Sequence, residues 1–190
     1  MTTTKIVVRI YFAIIIGLIT RINGLPCQRF LVPSYIYPTN SYWNSLLKLN
    51  GSIVIINPDS GPGKTINTDY VNITNYCNRY NVTVIGYVHT SYTKESISNV
   101  EHNVSLYYSW YHINGIFFDE VETLPNYIPY YQTLTSYVKN TYSPNDITVL
   151  NPGTVPDIGY SNITDIIVSA EMTYSSYVNY NPEWTRTNNV

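Results

Sequence analysis

Charge and cysteine are scarce in this chain of 190 residues, and each shortage excludes a class of protein. Charged residues make up only 12% of the chain while the hydrophobic fraction is an ordinary 44%, which excludes a disordered charged tail and a coiled coil. Two cysteines are too few for a disulfide-dense miniprotein. The three histidines, His89, His102 and His112, share no spacing typical of a metal site or of a nucleophile's base. The sequence therefore predicts no metal and no cofactor.

Basic residues are few, and three of the ten lie near the amino terminus. Lys5, Arg9 and Arg21 precede position 25, and no acidic residue lies among them. Without residues 1–24 the chain has 7 basic and 12 acidic residues, a net charge of −5. An anionic protein has no electrostatic attraction to a phosphate backbone, so nucleic acid is not an expected partner.

The first 24 residues have the order of a secretory signal. An apolar run over 10–19 follows the basic start, and Asn23-Gly24 supplies a small residue for cleavage. The alternative is a membrane anchor, but Arg9 and Arg21 bracket only eleven uncharged residues, whereas a spanning helix needs about 20. The sequence thus predicts a signal over 1–24 and a secreted domain over 25–190, with no stable membrane span after cleavage.

Export bears on the cysteines and on glycosylation. In an oxidising compartment Cys27 and Cys77 could form a disulfide, and the sequence leaves open whether they pair. Chance alone would give about four Asn-x-Ser/Thr sequons in a chain so rich in Asn, so a glycoprotein is compatible with export but is not evidence for it. The five sequons begin at Asn50, Asn72, Asn81, Asn103 and Asn162.

Six short β-branched runs alternate with segments of helical spacing. Continuous apolar character predicts strands that are covered on both faces, and the alternation predicts a parallel sheet with right-handed crossovers. Two architectures remain open: a doubly wound sheet, or a (β/α)8 barrel of the TIM type of which six βα units are visible. The predicted strands are 31–37, 52–57, 82–88, 115–120, 147–151 and 165–171, the predicted helices are 43–47, 70–80, 97–111 and 127–138, and 154–162 is expected to be one turn or a loop.

Polar and aromatic residues collect at the carboxyl ends of these strands, where either architecture places its chemistry. Asp119 and Glu120 end one apolar strand and Glu171 ends another. One neutral and one ionised carboxyl are what glycoside cleavage requires, although Asp119 could instead cap a turn while Glu120 faces solvent. Adjacent strand residues point to opposite faces, so Asp119 and Glu120 are not expected to share one role. Candidate pocket walls are Tyr35, Asn57, Asp59, Tyr87, His89 and Asn151.

A Gly-Lys-Thr sequence after the second strand invites a phosphate-loop interpretation. The Walker pattern requires a glycine five residues before its Gly-Lys, and Pro58 stands there in this chain. Proline supplies no N–H for a phosphate cradle. We therefore expect a Pro-Gly turn that lines a cleft, and no nucleotide.

Taken together, the motifs resemble the spherulation-specific family 4 (spherulin-4-like) proteins, which are grouped as glycoside hydrolase family 135. The resemblance implies a (β/α)8 barrel, export or membrane tethering, and cleavage of galactosaminogalactan, an α-1,4-linked polymer of galactose and N-acetylgalactosamine. It places the family's implicated acids on Asp119, Glu120 and Glu171. Family members continue for about two more βα units, so a barrel truncated to about six units is expected here. The motifs begin at Val32, Asn57, Gly86, Trp110, Gly115, Asn151 and Ala170.

Two functions follow as expectations. The first is a secreted glycoside hydrolase that cleaves an amino-sugar-containing polysaccharide with Glu171 and one of Asp119 and Glu120 as the working pair. The alternative is a non-catalytic polysaccharide-binding protein of a cell wall or spore coat, which would hold its ligand on aromatic surfaces. Both expectations make a polysaccharide the partner.

Overall fold

Seven strands form one parallel sheet in the computed structural model, which describes residues 6–11, 29–177 and 179–180. The strand order is β1-β7-β6-β5-β4-β3-β2, and every neighbouring pair is parallel. The six predicted strands are all present, with bounds that differ by one to three residues. The strands are β1 (Ile6–Tyr11), β2 (Leu31–Ser34), β3 (Ile53–Ile56), β4 (Thr83–His89), β5 (Gly115–Asp119), β6 (Ile147–Leu150) and β7 (Ile166–Met172).

Helices fill the connections between the strands. Asn67 caps α2 by accepting a hydrogen bond from the Asp69 backbone N–H, and Ser96 caps α3 through the N–H of Asn99. The 154–162 connection, predicted as one turn or a loop, contains a short 3₁₀ helix. The helices are α1 (Trp43–Leu46), α2 (Thr68–Arg79), α3 (Ile97–Trp110), α4 (Ile128–Thr141) and α5 (Tyr174–Tyr177), with 3₁₀ turns at Pro125–Tyr127 and Ile158–Asn162.

The helices α1 to α4 pack on one face of the sheet. Their buried side chains, such as Trp43, Tyr107 and Leu134, form one cluster with the outward-facing strand residues. The opposite face of the sheet carries a separate cluster made of strand residues alone, including Ile55, Ile85 and Phe117. A doubly wound sheet has helices on both faces and a reversal in strand order, so the described residues have the barrel-type arrangement instead.

The sheet is curled. Its two edge strands, β1 and β2, approach each other with Cα atoms within 8 Å. The helices pack closely on it: a Cβ on Gly86 of β4 would lie 2.6 Å from the Tyr107 ring of α3, so glycine is required there. The curl brings the carboxyl ends of the strands around one mouth.

Strand β1 lies inside the segment predicted to be a secretory signal. It adds to the edge of β7, with Ile6 beside Ile166 and Val8 beside Val168. This strand was not predicted from the sequence, although a β-branched run can pair with an exposed strand edge. The rest of the 1–24 segment lies outside the described residues, and its role as a signal stays a prediction. None of the helices in the described part of the chain is long and apolar enough to cross a bilayer.

Cys77 is buried on the inner side of α2. Burial raises the pKa of its thiol to about 12, so the thiolate is disfavoured. Cys27 lies outside the described residues, and whether the two cysteines pair stays open.

Candidate active site

Two of the three predicted catalytic acids meet at the carboxyl edge of the sheet. Asp119 is the last residue of β5, Asn151 follows β6 directly, and Glu171 lies near the end of β7. These three strands are neighbours in the sheet, so their ends lie side by side. The predicted gathering of acids at one mouth is present for Asp119 and Glu171.

Asn151 bridges the two carboxyl groups. Its side-chain Nδ2 donates to Asp119 Oδ1 at 2.7 Å and to Glu171 Oε1 at 3.1 Å. Because both oxygens bond to the same nitrogen, they lie no more than about 6 Å apart, within the range of paired glycosidase carboxyls. The amide orientation is fixed from the other side, since Asn151 Oδ1 accepts the Gly153 N–H at 3.0 Å.

The backbone of Asn151 is held equally firmly. Its N–H donates to the Phe118 carbonyl at 2.9 Å, and its carbonyl accepts the N–H of Val121 at 3.1 Å. The residue is only 6% exposed. Asn151 was predicted to be a pocket wall, and the structure adds that it is the link between the acids.

A register shift in β7 places Glu171 next to Asn151. Strict alternation would put Glu171 on the same face as Ile167, which belongs to the helix-side cluster. Val168 of β7 pairs with Val8 of β1, and Glu171 pairs with Ile10, so β7 advances three residues where β1 advances two. One extra residue of this kind is a β-bulge, and it turns the following side chains to the opposite face. Glu171 therefore faces the mouth.

The carboxyl of Glu171 is electrostatically unusual. Burial against the cleft wall raises its pKa, the hydrogen bond from Asn151 offsets part of this, and the negative charge of Asp119 raises the pKa further. The residue as a whole is exposed to solvent, which screens part of this effect. A glutamate with a raised pKa retains its proton at a pH where an ordinary glutamate has lost it, which suits a general acid.

Tyr35 and Tyr87 form an aromatic wall beside Asp119. Their rings meet edge to face with centroids 5.7 Å apart, and Tyr87 stacks on Phe117 at 6.1 Å. Burial raises the pKa of both phenols well above the usual value, and the charge of Asp119 raises both further. Both hydroxyls therefore remain protonated and can donate hydrogen bonds. Tyr35 is 46% exposed, so part of this wall faces solvent.

Glu120 has a different environment from its neighbour Asp119. Its Oε2 lies 4.0 Å from Nδ1 of His89, and the same nitrogen is 3.0 Å from Ser91 Oγ. Glu120 follows the last residue of β5 and has a φ of +55°, so strand alternation does not set its direction. The two adjacent acids have separate partners, and the predicted role of His89 as a pocket wall stays a prediction.

The loop after β3 holds the two remaining predicted wall residues. Asn57 is turned onto its own loop, since its Oδ1 accepts the Gly61 N–H at 2.9 Å, and Asp59 is exposed. The carbonyl of Pro62 accepts a hydrogen bond from the buried Tyr111 hydroxyl. The N–H of Gly61 is thus bonded within its own loop.

The left-handed backbone of the loop after β4, which lies beside the acids, was not predicted from the sequence. The loop after β4 has three consecutive residues with positive φ, Ser91 at +47°, Tyr92 at +53° and Thr93 at +65°. These residue types do not signal a left-handed backbone, so the pattern of the sequence offers no means to find them. Within the described ranges, no group of three or more His, Cys, Asp and Glu residues could hold a metal ion.

The fold and the site define a barrel-type α/β protein with a carboxylate-lined mouth. A family model described as "Spherulation-specific family 4" matches residues 29–189. The chain belongs to this family, and the resemblance read from its motifs is confirmed.

Individual relatives agree with this assignment. Spherulin-4 from Physarum polycephalum is 34% identical over 164 residues, which cover 83% of this chain and 49% of that protein. The chain thus spans about half the length of the curated relative. A crystal structure of Aspergillus clavatus Sph3 in complex with GalNAc matches with a TM-score of 0.75 at 31% identity, over 84% of this chain and 72% of that chain.

A more distant structure extends the fold comparison. A chitinase of Rhizomucor miehei, RmChi1, matches with a TM-score of 0.50 at 12% identity, over 80% of this chain and 58% of that chain. At this identity the likeness concerns the fold alone. The barrel-type fold predicted from the sequence therefore occurs in proteins that differ widely from this chain.

Proposed function

We propose that this chain is a secreted glycoside hydrolase that cleaves a galactosaminogalactan-like polysaccharide at α-1,4-linked N-acetylgalactosamine. The observation that carries the proposal is the Asn151 amide, which holds Asp119 and Glu171 together at the carboxyl edge of the sheet. The match to Sph3, whose crystal structure contains GalNAc, supports the choice of sugar.

The environments of the two acids suggest their roles. Glu171, with its raised pKa, would donate its proton to the glycosidic oxygen as the bond from that oxygen to the anomeric carbon breaks. Asp119 would form a bond to the anomeric carbon through one carboxylate oxygen. Water would then attack that carbon, return its proton to Glu171 and release Asp119 as a carboxylate. Each proton and each bond is accounted for without a cofactor.

The aromatic wall suits a sugar substrate. A sugar ring has an apolar face and hydroxyl edges, and the Tyr35–Tyr87 wall offers an aromatic surface together with phenol donors beside Asp119. We assign these tyrosines to substrate binding, along with His89. Asn57 and Asp59, on the loop after β3, would contact sugars farther from the scissile bond.

The test is release of reducing ends from an α-1,4-linked N-acetylgalactosamine polymer. We expect Glu171→Gln and Asp119→Asn to lower the rate by at least about a hundredfold, since each removes a group that acts on the scissile bond. Glu120→Gln tests the third predicted acid. Glu101→Gln on α3 is the matched control and should leave the rate unchanged. Undiminished turnover in all three acid variants would reject the assignment.

A non-catalytic polysaccharide-binding role is the second candidate. Tyr35, Tyr37 and Tyr92 are each about half exposed near the carboxyl ends of the strands, which favours binding through aromatic surfaces. This role predicts that the polymer is retained but not shortened, and that Asp119→Asn does not change retention. A co-sedimentation assay with analysis of polymer length separates the two candidates.

A further inference from the structure

Two buried hydroxyl groups connect the loop after β4 to the loop that carries the acids. Thr90 follows β4 directly and is fully buried; its Oγ1 lies 2.9 Å from the carbonyl oxygens of both Asp119 and Glu120. Tyr131 of α4 is also fully buried; its hydroxyl lies 3.3 Å from Thr90 Oγ1 and accepts the Glu122 N–H at 2.8 Å. The two hydroxyls therefore contact the backbone at three positions around the acids, Asp119, Glu120 and Glu122.

Proton counting fixes the direction of this network. A threonine hydroxyl has one proton, which Thr90 shares between the two carbonyls. The Tyr131 hydroxyl accepts from Glu122 and can in turn donate to Thr90 Oγ1. Chains of this kind polarise each member, so the loss of either hydroxyl weakens the rest.

Backbone hydrogen bonds from the same loop complete the contact. The Thr90 N–H donates to the Asp119 carbonyl at 3.0 Å, and the Tyr92 N–H donates to the Glu120 carbonyl at 2.8 Å. Each of the two carbonyls thus faces two donors from the loop after β4. We call Thr90, Tyr131 and these bonded groups the hydroxyl latch.

The hydroxyl latch joins two loops that both have an unfavourable backbone. Glu120 has a φ of +55°, and Ser91, Tyr92 and Thr93 opposite it are also in the left-handed region. Residues other than glycine avoid that region, and Thr93 does so strongly because it is β-branched. Such an unfavourable backbone conformation persists only where surrounding contacts stabilise it. Here the hydrogen bonds of the latch to the Asp119 and Glu120 carbonyls provide that stabilisation.

We propose that Thr90, supported by Tyr131, is a positioning residue that fixes the main chain of Asp119 and Glu120. It holds Glu120 in its left-handed conformation and so aims the Glu120 carboxyl at His89 on the neighbouring strand. Thr90 acts through the main chain and does not touch the substrate. This inference rests on the proposed function for its effect on turnover, but its effect on the backbone of Glu120 is independent of any reaction.

The decisive comparison uses side chains of equal shape. Thr90→Val removes the hydroxyl and keeps the volume, whereas Thr90→Ser keeps the hydroxyl. Thr74→Val is the matched control, because Thr74 is equally buried and its hydroxyl bonds to Val71 within α2, away from the acids. We expect kcat to fall by about 10- to 100-fold in Thr90→Val with KM changed less than about threefold, because the same hydroxyl also bonds the main chain of Asp119, and misplacing that acid has costs of this size.

The two controls separate a hydroxyl effect from a packing effect. Thr90→Ser and Thr74→Val should both retain kcat within about threefold of the unsubstituted chain. If Thr90→Val keeps full kcat, or if Thr90→Ser loses as much as Thr90→Val, the positioning role is overturned. Tyr131→Phe provides a second route to the same measurement should Thr90→Val fail to fold, and it should lower kcat in the same direction.

A backbone measurement distinguishes failure of this inference from failure of the proposed function. In NMR spectra of the variants, scalar couplings and chemical shifts of Glu120 report the sign of its φ. We expect Glu120 to leave the left-handed region in Thr90→Val and to remain there in Thr90→Ser and Thr74→Val. A Glu120 that stays left-handed in Thr90→Val overturns the latch, whether or not the chain cleaves a polysaccharide. If the chain cleaves none and Glu120 moves as expected, only the proposed function fails.

Discussion

Replacing Asn151 by alanine removes the side chain that contacts both Asp119 and Glu171, and it tests the site at its centre. Two hydrogen bonds to carboxylates disappear, at 2.7 Å and 3.1 Å, and the Gly153 N–H loses its acceptor. The two acids then face each other without the amide between them. Because the Asn151 bond lowers the pKa of Glu171 and the charge of Asp119 raises it, the pKa of Glu171 should rise further in the variant.

The structure gives the size of the expected effects. A hydrogen bond to a charged group contributes about 1.5–3 kcal/mol, and because Glu171 is open to solvent we take the lower end for its bond. The two bonds sum to about 3–4.5 kcal/mol, which corresponds to a fall in Tm of roughly 6–18 °C for a chain of this length. Turnover should fall by roughly a hundredfold, because the two carboxyls lose their fixed separation.

The assay is the pH dependence of kcat/KM together with thermal unfolding. We expect the alkaline limb of the profile to move to higher pH in Asn151→Ala, since that limb follows deprotonation of the general acid. Asn78→Ala is the control. Asn78 lies at the carboxyl end of α2 and its side chain bonds to the His112 carbonyl, away from the acids, so its profile should match that of the unsubstituted chain. An alkaline limb that stays in place while the rate falls would refute the assignment of Glu171 as the acid held by Asn151.

Three further predictions concern the acids and the sheet. With the unsubstituted chain, the alkaline limb should lie above the range of an ordinary glutamate, because activity is lost as pH rises through the raised pKa of Glu171. NMR of the products should show a retained anomeric configuration, since the bridged oxygens of Asp119 and Glu171 are too close for the inverting geometry; an inverted product would contradict this. Gly115→Ala should cost at least about 4 kcal/mol or prevent folding, because its Cβ would lie 2.0 Å from the Ile147 carbonyl oxygen. Gly51→Ala should cost far less, because Gly51 also has a positive φ but has open space around it. Urea unfolding of the two glycine variants compares them directly.

Sequence reasoning found the strands because their signal is local. Every residue of Ile53–Ile56 is buried, and its four consecutive apolar residues predict this without any information from the rest of the chain. The same logic placed Asp119, Asn151 and Glu171 at one edge, since parallel strands end on the same side. The choice between a doubly wound sheet and a barrel was beyond this reasoning, because both produce the same alternation along the chain.

Directions of side chains at the strand ends were not available from the pattern. A strict period of two would place the Glu171 side chain on the helix side, and the register shift between β7 and β1 reverses that direction. Asn57 and Asn151 look alike in sequence, each following an apolar strand. One folds onto its own loop and the other joins two acids, because their neighbours in space differ.

The sequence by itself determined the positions of six strands and of α1 to α4, and that Asp119 and Glu171 stand at one edge of a parallel sheet. These properties depend on local apolar periodicity and on strand direction alone. Only the tertiary structure decided that Asn151 links Asp119 to Glu171 and that Thr90 holds the backbone of Glu120. Those contacts join residues 20 and 30 positions apart, across strands and loops whose geometry is set by the packing of the whole sheet.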